Sequence, residues 1–299
     1  MKILVAGGTG FIGRAILTSL CAQHEVACLT RRDAGGSLPS TVRSIPWDGN
    51  TLSPDHVNGV DAIVNFAGES IGARRWTNGR KGVILGSRMN SVRSITNAII
   101  HAKTRPPLLV NASAVGYYGS VKEGDVTETS PKGKGFLADV CAAWEREALA
   151  VSSFGVRVVI LRLGVVLGKG GGALSRMAFP FRLYAGGSIG SGRQWFPWIH
   201  RDDVAGALSF VLQRNGLSGP VNLVAPETIR MKEFCSALGF AMNRPCWAPV
   251  PSVLLKVILG EMADMILTGQ KVVPIVLREA KYTFKYPSLY GALGDVFKS

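Results

Sequence analysis

The first twenty residues constrain the fold more than any other stretch. Lys2-Ile-Leu-Val-Ala-Gly7 is a short apolar run ending in glycine and reads as a buried strand. Residues 11–22 then place Phe11, Ile12, Ala15, Ile16 and Leu20 at helical spacing. Between strand and helix lies Gly7-Gly8-Thr9-Gly10-Phe11-Ile12-Gly13, with glycines at every third position. Such spacing alone says little, but a strand before it and a helix after it are the context of a dinucleotide-binding turn. Gly7 permits the tight turn, Gly10 lets the backbone approach a pyrophosphate, and Gly13 lets helix and strand pack closely. The open N–H groups of the helix N-terminus face the phosphates. Gly7, Thr9, Gly10, Phe11, Ile12 and Gly13 are therefore the expected cofactor loop.

The rest of the chain repeats the strand–helix alternation. Further strands are expected at residues 25–30, 61–66, 108–113 and 156–161, and helices at 80–103 and 137–151. That order implies βαβ units and a doubly wound parallel sheet of the Rossmann type, an α/β fold. After about residue 168 glycine clusters punctuate the chain. Helices are expected at 202–214, 231–242 and 252–267, with a strand-like stretch at 221–224. The expected division is a Rossmann domain over 1–168 and a smaller α+β substrate lobe over 169–299, the two interleaved.

The end of the second strand selects the dinucleotide. An acidic residue there would bind the ribose hydroxyls of NAD, whereas an arginine accommodates a 2′-phosphate. The chain has Thr30-Arg31-Arg32 at that point, with Asp33 beyond. Arg31 can fork onto a phosphate and the Thr30 hydroxyl can donate to it, which favours NADP(H). Asn65-Phe66-Ala67-Gly68 closes another strand, so Phe66, Ala67 and Gly68 are expected beside the adenosine. By the same rule Ser113, at the end of a later strand, faces the crevice, and Tyr117 and Tyr118 follow it. The tyrosines serve equally well as packing residues.

Composition narrows the rest. The net charge is +14, but the basic residues are scattered in short pairs such as Arg74-Arg75, and no nucleic-acid-type run occurs. A solvated basic surface is the simpler explanation, though the charge keeps RNA binding open. Five dispersed cysteines and four isolated histidines show neither a disulfide frame nor metal-ligand spacing, and no metal is expected. The longest apolar stretches are broken by charge, such as Lys256, Glu261 and Asp264 within 251–267, so no membrane span is expected. With strand-like sequence beginning at once after Lys2, the expected setting is cytoplasmic. The expected partner is a small molecule, and the assembly a monomer or homodimer.

The loop Ala6–Gly13 resembles the fingerprint of the extended short-chain dehydrogenase/reductase superfamily. More narrowly, the whole chain resembles its atypical, SDR39U1-like epimerase family, often called nucleotide-sugar epimerase-like. The matching pieces run in order along the chain. They include Asn65–Glu69, Arg75-Trp76, Gly86-Ser-Arg88, Gly116-Tyr-Tyr-Gly119, Trp144-Glu145, Gly164–Gly168, Gly190–Gln194, Trp198-Ile-His200 with Asp203, and Gly269–Pro274. The resemblance implies NADP(H), with contacts from Thr30, Arg31, Phe66, Ala67, Arg88, Val165 and Val166. It also implies a C-terminal lobe that holds substrate.

One departure separates binding from catalysis. Superfamily enzymes carry Tyr-x-x-x-Lys on the helix after the active-site serine, the tyrosine moving a proton and the lysine tuning it. Here Phe136 and Val140 stand at those positions. Ser113 is retained, and Tyr117 is the first candidate to replace the tyrosine. His200 is a second candidate for a polar role near substrate, although a structural hydrogen bond explains it as well. Arg193, in the Gly186–Gln194 loop, could reach an anionic substrate or simply be solvated. Two functions follow: an NADP(H)-dependent oxidoreductase or epimerase, or a non-catalytic NADP(H)-binding sensor or scaffold.

Overall fold

The structure, a computed structural model, describes residues 1–31 and 38–298. The first half alternates as the sequence pattern requires. It runs β1 (Lys2–Ala6), α1 (Phe11–Leu20), β2 (Glu25–Thr30), β3 (Arg43–Pro46), β4 (Ala62–Asn65), α2 (Asn78–His101), β5 (Leu108–Ala114), β6 (Asp125–Val126), α3 (Phe136–Leu149) and β7 (Arg157–Leu163). The second half comprises β8 (Val165–Leu167), α4 (Gly172–Arg182), β9 (Trp198–His200), α5 (Arg201–Gln213), β10 (Gly219–Leu223), α6 (Met231–Ala241), α7 (Ser252–Leu259), α8 (Asp264–Leu267), β11 (Lys271–Val272), α9 (Ile275–Glu279) and α10 (Leu289–Phe297).

Seven strands form one sheet in the order β10-β7-β5-β4-β1-β2-β3, every neighbouring pair parallel. This is the Rossmann-type sheet. The strand order reverses between β1 and β4, so the chain leaves their carboxyl ends in opposite directions and opens a crevice there. The strands are buried on both faces, which explains why β1 and β4 read as short apolar runs rather than alternating ones. Helix α1 packs with α5, and α2 with α3.

Elements from the second half of the chain complete the main sheet and its core. Helix α5 contributes Val204, Ala207, Leu208 and Val211 to the sheet core, and β10 is its edge strand. The stretch expected at 221–224 therefore belongs to the main sheet, not to the C-terminal lobe. A second core joins Leu174, Phe181, Trp198, Phe234 and Leu293 from α4, β9, α6 and α10. The helix expected over 252–267 is broken. α7 stops at Leu259 because Gly260 takes a left-handed φ of 60°, and a 3-10 turn leads into α8. Strand β3 was not anticipated, since Arg43–Pro46 carries a single buried side chain, Ile45, to signal it.

Asp203 joins the lobes. It lies in the first turn of α5 and is fully buried. Its carboxylate accepts from the Lys285 amide (2.6 Å), the Tyr286 amide (2.9 Å) and the Tyr282 hydroxyl (3.4 Å). This explains structurally why an aspartate follows the Trp198-Ile-His200 segment. Asp203→Ala would strand those donors away from water, at about 1–3 kcal/mol each. The expected outcome is a loss of about 2–5 kcal/mol in urea unfolding, and unchanged stability would refute the assignment.

Candidate functional site

The glycine loop has the geometry its sequence demands. Gly7 turns with φ +81°, and a Cβ there would stand 2.6 Å from the Phe66 carbonyl of the next strand's end. A Cβ on Gly13 would stand 2.1 Å from the Gly7 carbonyl. These two positions let β1, α1 and the turn after β4 close on one another across the switch point. Helix α1 begins at Gly10 with no side chain capping it and no acid in its first turn. Its N-terminal amides and dipole are thus presented to the crevice. The Phe11 ring packs on Gly171 and Gly172, and Arg201 stands 5.5 Å over it. Phe66 and Ala67 are partly buried against the main core.

The end of β2 differs from expectation in one respect. Thr30 is buried and its hydroxyl is 2.8 Å from the Ser44 hydroxyl on β3. The contact ties β2 to β3, and either hydroxyl can be its donor. Arg31 is exposed and reaches across to Glu69, at 3.5 Å. Arg32 and Asp33 lie outside the described residues. Arg88, on α2, holds the turn after β4. Its Nη1 donates to the Glu69 carbonyl (3.0 Å) and its guanidinium stacks over Trp144 at 5.2 Å. Burial lowers its pKa from the ordinary arginine value.

The end of β5 holds a buried polar network. Ser113 is opposite Arg162 in the β5–β7 register. Its hydroxyl donates to Glu145 on α3 (2.6 Å), and Glu145 takes Arg162 in a bidentate pair at 2.9 and 2.7 Å. All three are nearly inaccessible to solvent. Arg162 Nη1 also donates to the Tyr118 hydroxyl (2.9 Å) and the Glu128 carbonyl (3.2 Å). Tyr118 in turn donates to Asn222 on β10 (2.6 Å). Burial opposes the arginine's charge, but the Glu145 carboxylate overcomes this and raises its pKa. Burial pushes the Tyr118 phenol up to about 12. Cys141, beneath Ser113, is likewise pushed up to about 11 by burial.

This network limits what Ser113 can offer the crevice. Its one proton is committed to Glu145, so only its lone pairs remain for a ligand. Both Glu145 oxygens are engaged within the network, Oε1 by Ser113 and Arg162 Nε and Oε2 by Arg162 Nη2. Tyr117 is half-buried, and the Arg162 guanidinium carbon stands 3.6 Å over its ring centroid. One ion pair thus holds both candidates. Phe136 opens α3 and meets the edge of Trp76 at 5.2 Å, and Val140 is buried.

Other candidates fall elsewhere. Val166 is buried in the main core, and Val165 is half-buried at the start of β8 beside β9. Arg193 is exposed. Its amide donates to Ser191 Oγ (3.2 Å) and its carbonyl accepts from Arg230. His200 is buried in the C-terminal lobe. Its Nδ1 accepts the Asp202 amide (3.2 Å) and so caps α5, and its ring stacks on Tyr286 at 4.0 Å. The expectation of a substrate contact gives way to a structural cap. Among the described residues no group of three metal-ligating side chains converges, and no helix is long and apolar enough to cross a membrane.

Sequence reasoning missed Glu69, Arg80, Glu145, Arg162 and Asn222 as members of the site. Arg162 carried a usable signal. A cation after the apolar run Val158-Val-Ile-Leu161 of β7 (Arg157–Leu163), buried with it, has to find a carboxylate.

Comparison with known proteins agrees with this architecture. The model of the NAD dependent epimerase/dehydratase family matches residues 3–224, and a domain of unknown function, DUF1731, matches 250–296. The chain belongs to the NAD dependent epimerase/dehydratase family. It is 41% identical to the chloroplastic epimerase family protein SDR39U1 homolog of Arabidopsis thaliana, over 100% of this chain and 87% of that one. The crystal structure of human epimerase family protein SDR39U1 with NADPH is similar over 99% of both chains, with TM-score 0.89 and 36% identity. A nucleoside-diphosphate sugar epimerase structure from Corynebacterium glutamicum matches 99% of this chain and 58% of its own, with TM-score 0.78 and 28% identity.

The buried state of His200 has a pH consequence. Burial lowers its pKa below the ordinary 6.5. Between that lowered value and 6.5 the unfolded chain binds more protons than the folded one, so stability falls as pH drops through this window. Asparagine is a good helix cap and does not titrate. His200→Asn is therefore expected to flatten the pH dependence of unfolding free energy between pH 7 and 5, by up to about 1.4 kcal/mol per pH unit. An identical slope in urea titrations of both proteins would contradict this.

Proposed function

We propose that this chain is an NADP(H)-dependent oxidoreductase or epimerase of the extended short-chain dehydrogenase type, acting on a small substrate with a carbonyl or hydroxyl carbon. The observation that carries the reading is the combined geometry of two strand ends. A glycine cradle that side chains would fill sits at the end of β1, and the exposed Arg31 follows the end of β2. The similarity to a protein crystallised with NADPH supports the same cofactor.

In this reading the amides of Gly10 to Gly13 and the α1 dipole bind the pyrophosphate. Arg31 takes the 2′-phosphate, and Phe66, Ala67 and Gly68 flank the adenosine. Arg88 acts by fixing the turn that presents them, and Val165 and Val166 form part of the wall. The chemistry supplied by the bound group is hydride exchange at the nicotinamide C4. Ser113 orients a donor through its lone pairs. Tyr117, held against Arg162, supplies the proton that Phe136 cannot. Arg193 and the surrounding loop are available to an anionic portion of the substrate. The five free thiols suit a reducing setting such as the cytoplasm, and the protein acts as a monomer or homodimer without nucleic acid.

Two measurements test this. In fluorescence titrations NADPH is expected to bind more tightly than NADH. Arg31→Ala should weaken NADPH about 10- to 100-fold while sparing NADH, the range of a charge-assisted contact. Equal effects on both nucleotides would overturn the assignment. Across a panel of carbonyl compounds and nucleotide sugars, the wild-type protein should oxidise NADPH or reduce NADP⁺. Tyr117→Phe should lower kcat at least about 100-fold with NADPH affinity kept. Tight binding with no turnover on any substrate would defeat the enzymatic reading.

A further inference from the structure

Glu69 is an acid placed where a phosphate reader would not be expected to keep one. It follows the turn after β4, and α2 clamps its backbone at both ends. The amide donates to Ser87 Oγ (3.1 Å), and the carbonyl accepts from Arg88 Nη1 (3.0 Å). The carboxylate is therefore held in position from below. It faces two cations of different kinds. Arg80 is mostly buried, with both Nη atoms 3.4 Å from Oε2 and Nη2 donating to the Ser70 carbonyl at 2.6 Å. Arg31 meets Oε1 at 3.5 Å, and its side chain is 73% exposed.

The two contacts are unequal. Arg80 is tied to the turn by Ser70 and belongs to it. Arg31 is long, solvated and loosely paired, and such exposed pairs are worth little. Arg31 can therefore leave Glu69 for a stronger anion at small cost. A dianionic phosphate arriving at Arg31 would also approach the carboxylate of Glu69. That repulsion is only partly offset by Arg80, because a short distance at the protein surface leaves it incompletely screened. An unphosphorylated ribose would meet no such opposition.

We infer that Glu69 is a specificity-determining residue, a built-in anion that competes with the 2′-phosphate for Arg31 and restrains the affinity of the chain for phosphorylated dinucleotides. Glu69 thereby narrows the preference that Arg31 creates. The opposite role is a distinct physical possibility: by aligning Arg31, Glu69 would strengthen phosphate binding. The two differ in the sign of one substitution. The inference rests on the reading of Arg31 as the phosphate contact.

The test uses the full chain and two pairs of probes, NADPH against NADH, and adenosine 2′,5′-bisphosphate against ADP, by equilibrium titration. Glu69→Gln retains the shape and a hydrogen-bonding oxygen but removes the charge. It is expected to tighten NADPH and adenosine 2′,5′-bisphosphate about three- to tenfold, the size of one partly screened charge at short range, with NADH and ADP unchanged. The gain should shrink as salt is added. Weaker phosphate binding in Glu69→Gln, or equal changes in both members of each pair, would overturn the inference. Arg31→Ala separates the two claims. If it leaves NADPH binding intact, the phosphate assignment itself has failed. If it weakens NADPH while Glu69→Gln changes no ratio, the failure is that of Glu69 alone. Glu69→Asp guards against a merely structural effect, since it keeps the charge and should leave the nucleotide ratio near the wild-type value.

Discussion

The pairing of Arg162 with Glu145 is the constraint on which the site depends. A guanidinium in the middle of a parallel sheet carries a large desolvation cost, tolerable only when its donors are met and its charge is balanced. Here Nε and Nη2 go to one carboxylate and Nη1 to a phenol and a carbonyl. The pair joins β7 to α3, and through Tyr118 and Asn222 it reaches β10. A buried pair of this kind need not raise net stability over an apolar substitute. What it does impose is geometry, because every member has a defined partner and little freedom to turn.

That geometry decides the roles left to the neighbouring side chains. Ser113 spends its proton inward, and the Arg162 guanidinium stands over the ring of Tyr117. The same network extends into the second lobe. Glu128 accepts the amides of Asn222 and Val276, and Asn222 donates to the Val273 carbonyl, so the 273–276 segment is fastened to the sheet edge. Gln270, just before it, donates to the Val115 carbonyl beside Tyr117. The 270–276 segment and the serine–tyrosine segment are thus coupled by hydrogen bonds rather than by apolar contact alone. Displacement of one lobe would have to break buried polar contacts, which favours a preformed crevice over a loosely hinged one.

The fold was legible because its signals are local. The glycine loop, the run at 25–30 and the helical spacing of 137–151 each report on a few adjacent residues, and each element lies within a residue or two of expectation. At the candidate site the legible part was likewise local, the tight glycine turn at Gly7 and Gly13. The partners of Thr30, Ser113 and His200 were not legible, for one shared reason. Each is a polar residue ending a strand, and each is satisfied by a group remote in sequence or fixed by tertiary packing: Ser44, Glu145, and the stack on Tyr286. A rule that strand ends line the crevice gives the residue's address but not the direction of its side chain. The broken helix at Gly260 is a smaller case, since an apolar run carries no mark of where its backbone reverses φ.

The replacement of tyrosine and lysine by Phe136 and Val140 gains meaning from what surrounds it. Phe136 is packed against the edge of Trp76, whose Nε1 donates to the Ile71 carbonyl, and Lys81 lies 5.6 Å over its ring. Val140 is buried. A hydroxyl restored at position 136 would enter an aromatic contact rather than an open crevice, and a lysine at 140 would place a charge in an apolar layer without an arranged partner. Restoring the two superfamily residues would therefore not by itself restore the superfamily's proton relay. The Trp76–Phe136 contact and the Glu145–Arg162 pair form one alternative arrangement of α3. In it the helix presents apolar groups where an acid and its tuning cation would stand, and keeps its charge deeper, under Ser113. Of the two phenols beside this arrangement, that of Tyr118 is committed to Asn222, whereas Tyr117 meets the network only through its ring face on Arg162.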